Sequence, residues 1–248
     1  MEMGSRTRAD QGGFTLTELL VAIAILGLIM LGVMTLLMTG NQSYLTGSNQ
    51  VEAQASARAA LERMTNDIRE AGYGPTTDQN CVPPTPAAGC FNAVINPSAT
   101  SFTLQSDWNG SGVIDAGVAV NVNYVFGGVD TNVPRGERVT YTVAGGNLCR
   151  QESAIPVVPA DPFCPAGFVS LVTSAQQASA GGALQPFFQY VDGSGVLMTA
   201  AAAAANPELI RTIWVQMRVG AQNQPPAIWQ TGAVQVTMSD RIRLRNRI

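Results

Sequence analysis

The residue types in this chain exclude several kinds of chemistry before any fold is considered. All 14 basic residues of the 248-residue sequence are Arg, because it contains neither Lys nor His. A His-based catalytic triad, a His-ligated metal site, a P-loop lysine and a lysine Schiff base are therefore impossible within the chain. The sequence also lacks a Gly-x-Ser-x-Gly motif, a Walker motif and paired carboxylates near a recognisable strand end. We therefore predict that the protein is not an enzyme.

One short segment has the residue types of a calcium loop. Side chains that carry oxygen stand at alternate positions, at Asp107, Asn109 and Ser111, and a glycine follows them. Asp115 stands at the ninth place of the motif, but Val118 occupies the twelfth place, where a bidentate Glu is expected. Asn-Gly and Ser-Gly are also common turn sequences. The sequence therefore predicts either a calcium site, completed by carbonyl oxygens and water, or an ordinary turn.

The four cysteines could form two disulfides or bind zinc. Four cysteines allow three disulfide connectivities. We favour the sequential pairing, Cys81 with Cys90 and Cys149 with Cys164, because both loops are short and rich in turn residues. The sequence contains no Cys-x2-Cys spacing, which makes zinc the weaker alternative. Disulfides persist in oxidising compartments such as the periplasm and the cell exterior.

A single carboxylate stands inside a long apolar segment. Glu18 is the only charged residue in the stretch 14–38, which as one helix would measure about 37 Å and could cross a membrane. The polar leader before it carries Arg6 and Arg8, which favours a cytoplasmic N-terminus. The apolar segment is too long for the core of a cleaved secretory signal. Because a charge in a spanning helix is costly, Glu18 is expected either to find a partner or to snorkel at the interface.

The residues around Glu18 resemble the class III signal of type IV prepilins. The pattern is a Gly, a Phe, a Glu at the fifth position of the mature chain and an unbroken apolar run, here Gly13, Phe14, Glu18 and the residues that follow. The resemblance implies that a prepilin peptidase cuts after Gly13 and that the new N-terminus, Phe14, is methylated. It also implies that Glu18 guides assembly by pairing with the terminal amine of a neighbouring subunit.

The next segment predicts an amphipathic continuation of the same helix. Apolar residues recur at helical spacing, and glycines from position 72 on are expected to end the helix. No proline interrupts residues 14–71, so one continuous helix is possible. The predicted buried face consists of Ala57, Leu61, Met64, Ile68 and Ala71.

The remainder of the chain predicts strands and turns. Several strands after one long helix indicate an α+β fold, with a long N-terminal helix packed on an antiparallel sheet as in type IV pilins. The final Arg residues alternate with apolar residues, which favours an edge strand whose Arg side chains face water over a site for DNA or an acidic partner. The predicted strands lie at 101–105, 120–126, 138–143, 147–151, 210–219 and 234–247.

These patterns divide the chain into four predicted segments. They are a cleaved leader (1–13), a transmembrane and assembly helix (14–38), an amphipathic helix (39–74) and a β-rich periplasmic or extracellular domain (75–248). The resemblance implies a single-pass inner-membrane protein with a cytoplasmic N-terminus, which later moves into a pilus on the cell surface.

A second resemblance points to one type of protein within the pilin family. Residues 58–73 and the Arg-rich ending 244–247 are similar to W-type (PilW-like) minor pilins. This similarity implies a subunit that primes pilus assembly in or near the tip complex. Its partners would be the prepilin peptidase, the inner-membrane assembly platform, the major pilin, other minor pilins and, in some systems, a tip adhesin.

Two other functions remain open from the sequence. A J-type pseudopilin of type II secretion shares the general layout, and a membrane-anchored calcium-dependent adhesin would use the loop at Asp107. Nucleic acid is not an expected partner, because the net charge is −3 and the chain has no broadly basic composition.

Overall fold

The computed structural model describes residues 14–74, 91–115, 117–126, 129–156, 159–220 and 235–244. A 55-residue helix, α1 (Leu16–Glu70), is followed by fourteen described strands, which confirms the predicted α+β arrangement. The chain forms two compact units, the first ending at Gly47 and the second beginning at Ser48. Each unit is described by itself below.

The first unit is helical from Leu16 on, and its side chains are almost all exposed. Its large apolar residues are exposed, for example Leu16 to 77% and Leu36 to 75%. By length and composition α1 could cross a membrane, although a signal sequence near an N-terminus meets the same criterion. Such a large apolar surface is not expected to remain in contact with water.

The second half of α1 has one buried face. All five residues of the predicted face, from Ala57 to Ala71, are buried, which confirms that prediction. Small side chains at Ala53, Ala57 and Ala60 allow the sheets to approach the helix closely. The helix ends at Glu70, and Gly72 takes a φ of 77°, the left-handed conformation that glycine adopts at helix C-termini.

The strands include five that the sequence predicted to within one residue, together with short ones that it did not predict. The last strand, predicted at 234–247, is observed at Gln235–Arg243, and residues 245–248 lie outside the described residues. In chain order the strands are β1 (Val94–Ile95), β2 (Ser101–Gln105), β3 (Val120–Phe126), β4 (Val129–Arg135), β5 (Arg138–Ala144), β6 (Asn147–Glu152), β7 (Val169–Val172), β8 (Ala175–Gln176), β9 (Ser179–Ala180), β10 (Ala183–Leu184), β11 (Phe188–Asp192), β12 (Leu197–Met198), β13 (Ile210–Gly220) and β14 (Gln235–Arg243).

The strands form two larger antiparallel sheets. The first sheet has the order β1-β2-β5-β6-β7. The second sheet has the order β12-β11-β13-β14, and β8 also pairs with β13. Two hairpins, β3–β4 and β9–β10, pair only within themselves in the described part of the chain.

The core contains the buried face of α1 and the inner faces of the two sheets. Aromatic rings form its centre, where Phe102 stacks on Tyr141 at 5.3 Å and meets Phe188 edge-on at 4.8 Å. Burial of each large apolar side chain contributes about 1.5–3 kcal/mol. In β13 alternate residues are buried as predicted, at Ile213, Val215, Met217 and Val219.

A disulfide joins β6 to the loop that precedes β7. It links Cys149 and Cys164, which is one of the two bridges that sequential pairing predicts. Cys81 and Cys90 lie outside the described residues, so their pairing stays a prediction. Closing a loop of this length stabilises a domain by about 3 kcal/mol through the unfolded state.

Candidate assembly site

The N-terminus of α1 is closed by a capping box between Thr15 and Glu18. The Thr15 backbone N–H and its Oγ1 hydroxyl both donate to Glu18 Oε2, each at 3.0 Å. In return, the Glu18 backbone N–H donates to Thr15 Oγ1 at 3.3 Å. This reciprocal pairing satisfies amides that would otherwise lack a partner in the first helical turn.

The capping box assigns Glu18 a role that the sequence analysis missed. The signal was present, because Thr-x-x-Glu before an apolar run is the pattern of such a cap. In the described part of the chain only Oε2 of this carboxylate accepts hydrogen bonds, and Oε1 accepts none. The carboxylate is therefore held over the first turn with one oxygen open to a donor from another molecule.

The predicted cleavage site lies directly before this cap. Phe14 is 92% exposed and immediately precedes Thr15. Gly13 lies outside the described residues, and both cleavage and methylation at this position stay predictions. If the chain began at Phe14, its amine would be one residue away from the cap.

The surroundings of Glu18 are apolar along the helix. Leu19, Leu20 and Val21 are each more than half exposed, and no basic residue occurs in the first unit from Phe14 to Gly47. Covering this surface with lipid or another helix would remove water from the carboxylate. A buried unpaired charge is strongly unfavourable, so the carboxylate would then need a cationic partner.

The four residues of the predicted calcium loop lie together between β2 and β3. Asp107 is fully buried, and its two oxygens accept the backbone N–H groups of Ser111 and Gly112 at 3.1 and 2.7 Å. Asn109 accepts a second bond from the Ser111 N–H and donates to Asp115 Oδ2. The Ser111 hydroxyl donates to a backbone carbonyl of the same loop. Both Asp107 oxygens, Asn109 Oδ1 and Asp115 Oδ2 therefore already accept hydrogen bonds within the loop.

A fifth residue, Glu137, also holds this loop. Its buried carboxylate accepts the Trp108 N–H at 3.0 Å and the Asp115 N–H at 2.6 Å. No local pattern predicted this contact, because Glu137 is 22 residues beyond Asp115. The described residues include no cluster of three or more His, Cys, Asp or Glu side chains suited to a metal ion. Calcium binding here stays a prediction.

A buried ionic network anchors α1 to the first sheet. Asp67 accepts hydrogen bonds from Arg150 Nε at 2.7 Å and from the Tyr141 hydroxyl at 2.6 Å. Arg150 also binds Glu152 at 2.8 Å. Arg63, four residues before Asp67 on the same helix, also pairs with it at 3.6 Å, but this is the longer contact. The sequence analysis missed Arg150, which lies 83 residues from Asp67.

The electrostatics of this network follow from burial and from the Asp67 charge. Burial raises the pKa of Tyr141 well above its usual value, and the adjacent carboxylate raises it further. Burial alone would lower the pKa of Arg150, but the Asp67 carboxylate raises it overall, so the guanidinium stays charged. The network therefore consists of an ion pair and a neutral phenol that donates a hydrogen bond.

Comparison with known proteins gives one match. Residues 8–34 match the prokaryotic N-terminal methylation motif. Comparison with the curated proteins gives no match, and comparison with the solved structures gives none either.

This motif is the prepilin signal, and proteins that carry it are structural rather than enzymatic. They generally associate with other pilins and with the assembly machinery. Together with the apolar helix, the signal indicates anchoring in a membrane before assembly. The methylation motif at the start of an exposed apolar helix indicates that this chain is a type IV pilin-like or pseudopilin-type protein.

Proposed function

We propose that the protein is a minor pilin of a type IV pilus that primes assembly and lies in or near the tip complex. The observation that carries this proposal is the methylation motif at residues 8–34, placed at the start of an apolar helix without partners in its own unit. The similarity of residues 58–73 and 244–247 to W-type minor pilins supports the minor-pilin role.

The first step of the proposed pathway is processing of the leader. Prepilin peptidase hydrolyses the bond between Gly13 and Phe14, which leaves a carboxylate on Gly13 and an amine on Phe14. A methyl donor then methylates that amine. Before assembly, the chain crosses the inner membrane once through residues 14–38, with the leader on the cytoplasmic side and residues 39–248 beyond the membrane.

Assembly then exchanges lipid contacts for contacts with other pilin helices. Because both environments are apolar, this transfer changes the burial of the helix surface little. The proposed ion pair between Glu18 and the Phe14 amine of a neighbouring subunit supplies the specificity of assembly. In this arrangement Oε2 caps its own helix, and Oε1 is the oxygen that faces the amine.

The partners follow from this role. We propose that the protein contacts the major pilin, other minor pilins and the inner-membrane assembly platform, and, where one is present, a tip adhesin. The finished pilus would carry it on the cell surface. The calcium loop is a secondary feature of the proposal, because its oxygens are engaged within the loop itself.

The decisive measurement is mass spectrometry of the mature N-terminus from cells. We expect a chain that begins at methylated Phe14. A chain that still begins at Met1 and does not associate with filaments would contradict the proposal.

A second measurement separates the pilus from the alternative J-type pseudopilin, since both kinds of protein carry the methylation motif. Deletion of the gene should reduce the number of pili and leave type II secretion unchanged. Loss of secretion with normal piliation would favour the pseudopilin.

A further inference from the structure

Strand β14 forms one end of the second sheet. In the described part of the chain it pairs with β13 and with no other strand. The Leu244 N–H donates to the Arg211 carbonyl of the neighbouring chain segment at 2.9 Å, and the register along β14 has no shift. In an antiparallel ladder, residues therefore alternate between those that bond to β13 and those that face away. Between Thr237 and Arg243, the backbone groups that face away belong to Thr237, Ser239, Arg241 and Arg243, and of these the Arg241 N–H already donates to Asp240 Oδ1 at 2.8 Å.

The side chains of these four residues lie on the face of the sheet that is opposite the core. Ile242, between two of them, points to the core and is buried, whereas Arg241 and Arg243 are exposed. The Arg241 guanidinium lies over the Trp214 ring, 4.3 Å from its centre. This contact holds the charge in place beside the free edge. On this face of β13 and β14, every described charged side chain is an Arg.

The other face of β14 borders a groove against α1. The groove has a volume of about 460 Å³. Its apolar part is formed by the buried side chain of Leu61 and the partly buried side chain of Met238. A strand added beside β14 would place alternate side chains over this groove. Charged residues of both signs also line it: Arg58, Glu62, Arg69 and Asp240.

The charged side chains of β14 favour some partner strands over others. A second copy of β14 would bring another row of Arg onto the same face, and like charges on paired strands are destabilising. Charged residues on an edge strand generally prevent pairing with neutral or basic strands. An acidic strand is the exception, because its carboxylates would complement Arg241 and Arg243.

We propose that the free edge of β14 binds an extended segment of another protein by strand addition, and that this segment alternates acidic with apolar residues. The backbone groups at Thr237, Ser239 and Arg243, together with the Arg241 carbonyl, supply the hydrogen bonds of the new ladder. The acidic side chains of the segment face the two arginines, and its apolar side chains cover Leu61 and Met238. This surface lies in the second unit and does not depend on the role of Glu18.

The test uses the full chain in detergent micelles and two synthetic peptides. Each peptide has nine residues, the length of β14, and alternates Val with either Glu or Lys. Amide hydrogen exchange is measured residue by residue with and without peptide. We expect the Glu peptide to slow exchange at the outward amides of Thr237, Ser239 and Arg243 at least about tenfold. The Lys peptide should have no effect. Unchanged exchange with the Glu peptide, or equal protection by both peptides, would overturn the proposal.

A backbone variant then isolates the strand pairing. Ser239→Pro removes an outward N–H but none of the N–H groups that β13 uses. We expect it to weaken binding of the Glu peptide about three- to tenfold, as for loss of one hydrogen bond. Ser239→Ala, which keeps the N–H, should bind like the natural chain. Protection of the inward amides at Met238 and Ile242 verifies that the sheet is intact. Equal binding by the Pro and Ala variants would contradict strand addition.

A charge variant tests the specificity. The double change Arg241→Glu and Arg243→Glu should transfer the preference from the Glu peptide to the Lys peptide. Increased salt should weaken the original interaction, because both arginines are exposed. Retention of the Glu-peptide preference in the double variant would show that the arginines do not select the partner.

Discussion

The two halves of α1 differ in the exposure of their apolar residues and in the hydrogen-bond partners of their acidic residues. Up to Gly47 the helix exposes large residues such as Leu, Ile and Met on all sides, and among the described residues Glu18 accepts hydrogen bonds from Thr15 alone. Beyond Ser48 a narrow stripe of both small and large residues is buried, and Asp67 pairs with Arg150 and Tyr141 of the same chain. The second half is thus complete within its own unit, whereas the first half leaves both its apolar surface and its carboxylate for other molecules.

The largest effect that would test this comparison is on assembly. Glu18→Gln removes the charge but keeps a residue that serves equally in a capping box. We expect incorporation into filaments to fall at least about tenfold, because the Phe14 amine of the neighbour would lose its partner in an apolar environment. Filaments are isolated, and the protein is quantified by immunoblotting against its membrane-bound pool.

The matched control is Thr15→Ala, which removes the side-chain part of the cap and keeps the charge. Incorporation of this variant should remain close to that of the natural chain. If Thr15→Ala abolished incorporation while Glu18→Gln did not, the cap rather than the charge would be the essential feature.

The next largest effect is on the stability of the second unit. Arg150→Ala leaves Asp67 buried without its closest cation, and we expect a loss of about 3–5 kcal/mol in the free energy of unfolding. Thermal unfolding of the full chain in detergent, followed by circular dichroism, measures this loss. The double variant Asp67→Ala with Arg150→Ala should be less destabilised than the two single changes predict together. Strict additivity would show that the pair does not act as a unit.

Loss of the disulfide is expected to have a somewhat smaller effect. Changing Cys149 and Cys164 together to Ser should lower the unfolding free energy by about 3 kcal/mol, since the bridge restricts a short loop of the unfolded chain. Denaturant titration with and without reductant provides the measurement. In the natural chain a reductant should produce a similar loss, and in the double variant a smaller one. A stability that reductant does not change would contradict this prediction.

The smallest effect concerns alkaline pH. The folded-state pKa of Tyr141 is raised above its unfolded value near 10, so the unfolded chain releases this proton first. Stability from this group is therefore present below pH 10 and is lost as the pH rises above it. Tyr141→Phe should reduce the slope of stability against pH in this range, although it also removes the bond to Asp67. Parallel curves for the two proteins between about pH 9 and pH 11 would argue against the buried phenol as the cause.

The sequence predicted the features that depend on local periodicity. The continuous helix, its buried face from Ala57 to Ala71 and the alternation in β13 all follow from spacings of three, four or two residues. The order of the strands could not be predicted in this way. The bond from Asp67 to Arg150 and the bonds from Glu137 to the loop at Asp107 also join residues that only the tertiary fold brings together.

The candidate site was predicted in part. The motif at Gly13, Phe14 and Glu18 was recognised, and its match to the methylation motif supports that reading. The cap between Thr15 and Glu18 was not predicted, although its pattern is local, because the sequence was interpreted through a partner for Glu18 in another subunit. For the Arg-rich end, the sequence predicted side chains that face water, and Arg241 and Arg243 are exposed. The stacking of Arg241 on Trp214 required the pairing of two distant strands.

The bridge between Cys149 and Cys164 has a consequence for following the protein through the cell. Thiols stay reduced in the cytoplasm and oxidise outside it. If the second unit is exported as proposed, an exported molecule is lighter by two hydrogen atoms at this bridge than one whose second unit is still in the cytoplasm. Intact-mass measurement of this bridge would therefore distinguish newly made, reduced molecules from exported, oxidised ones.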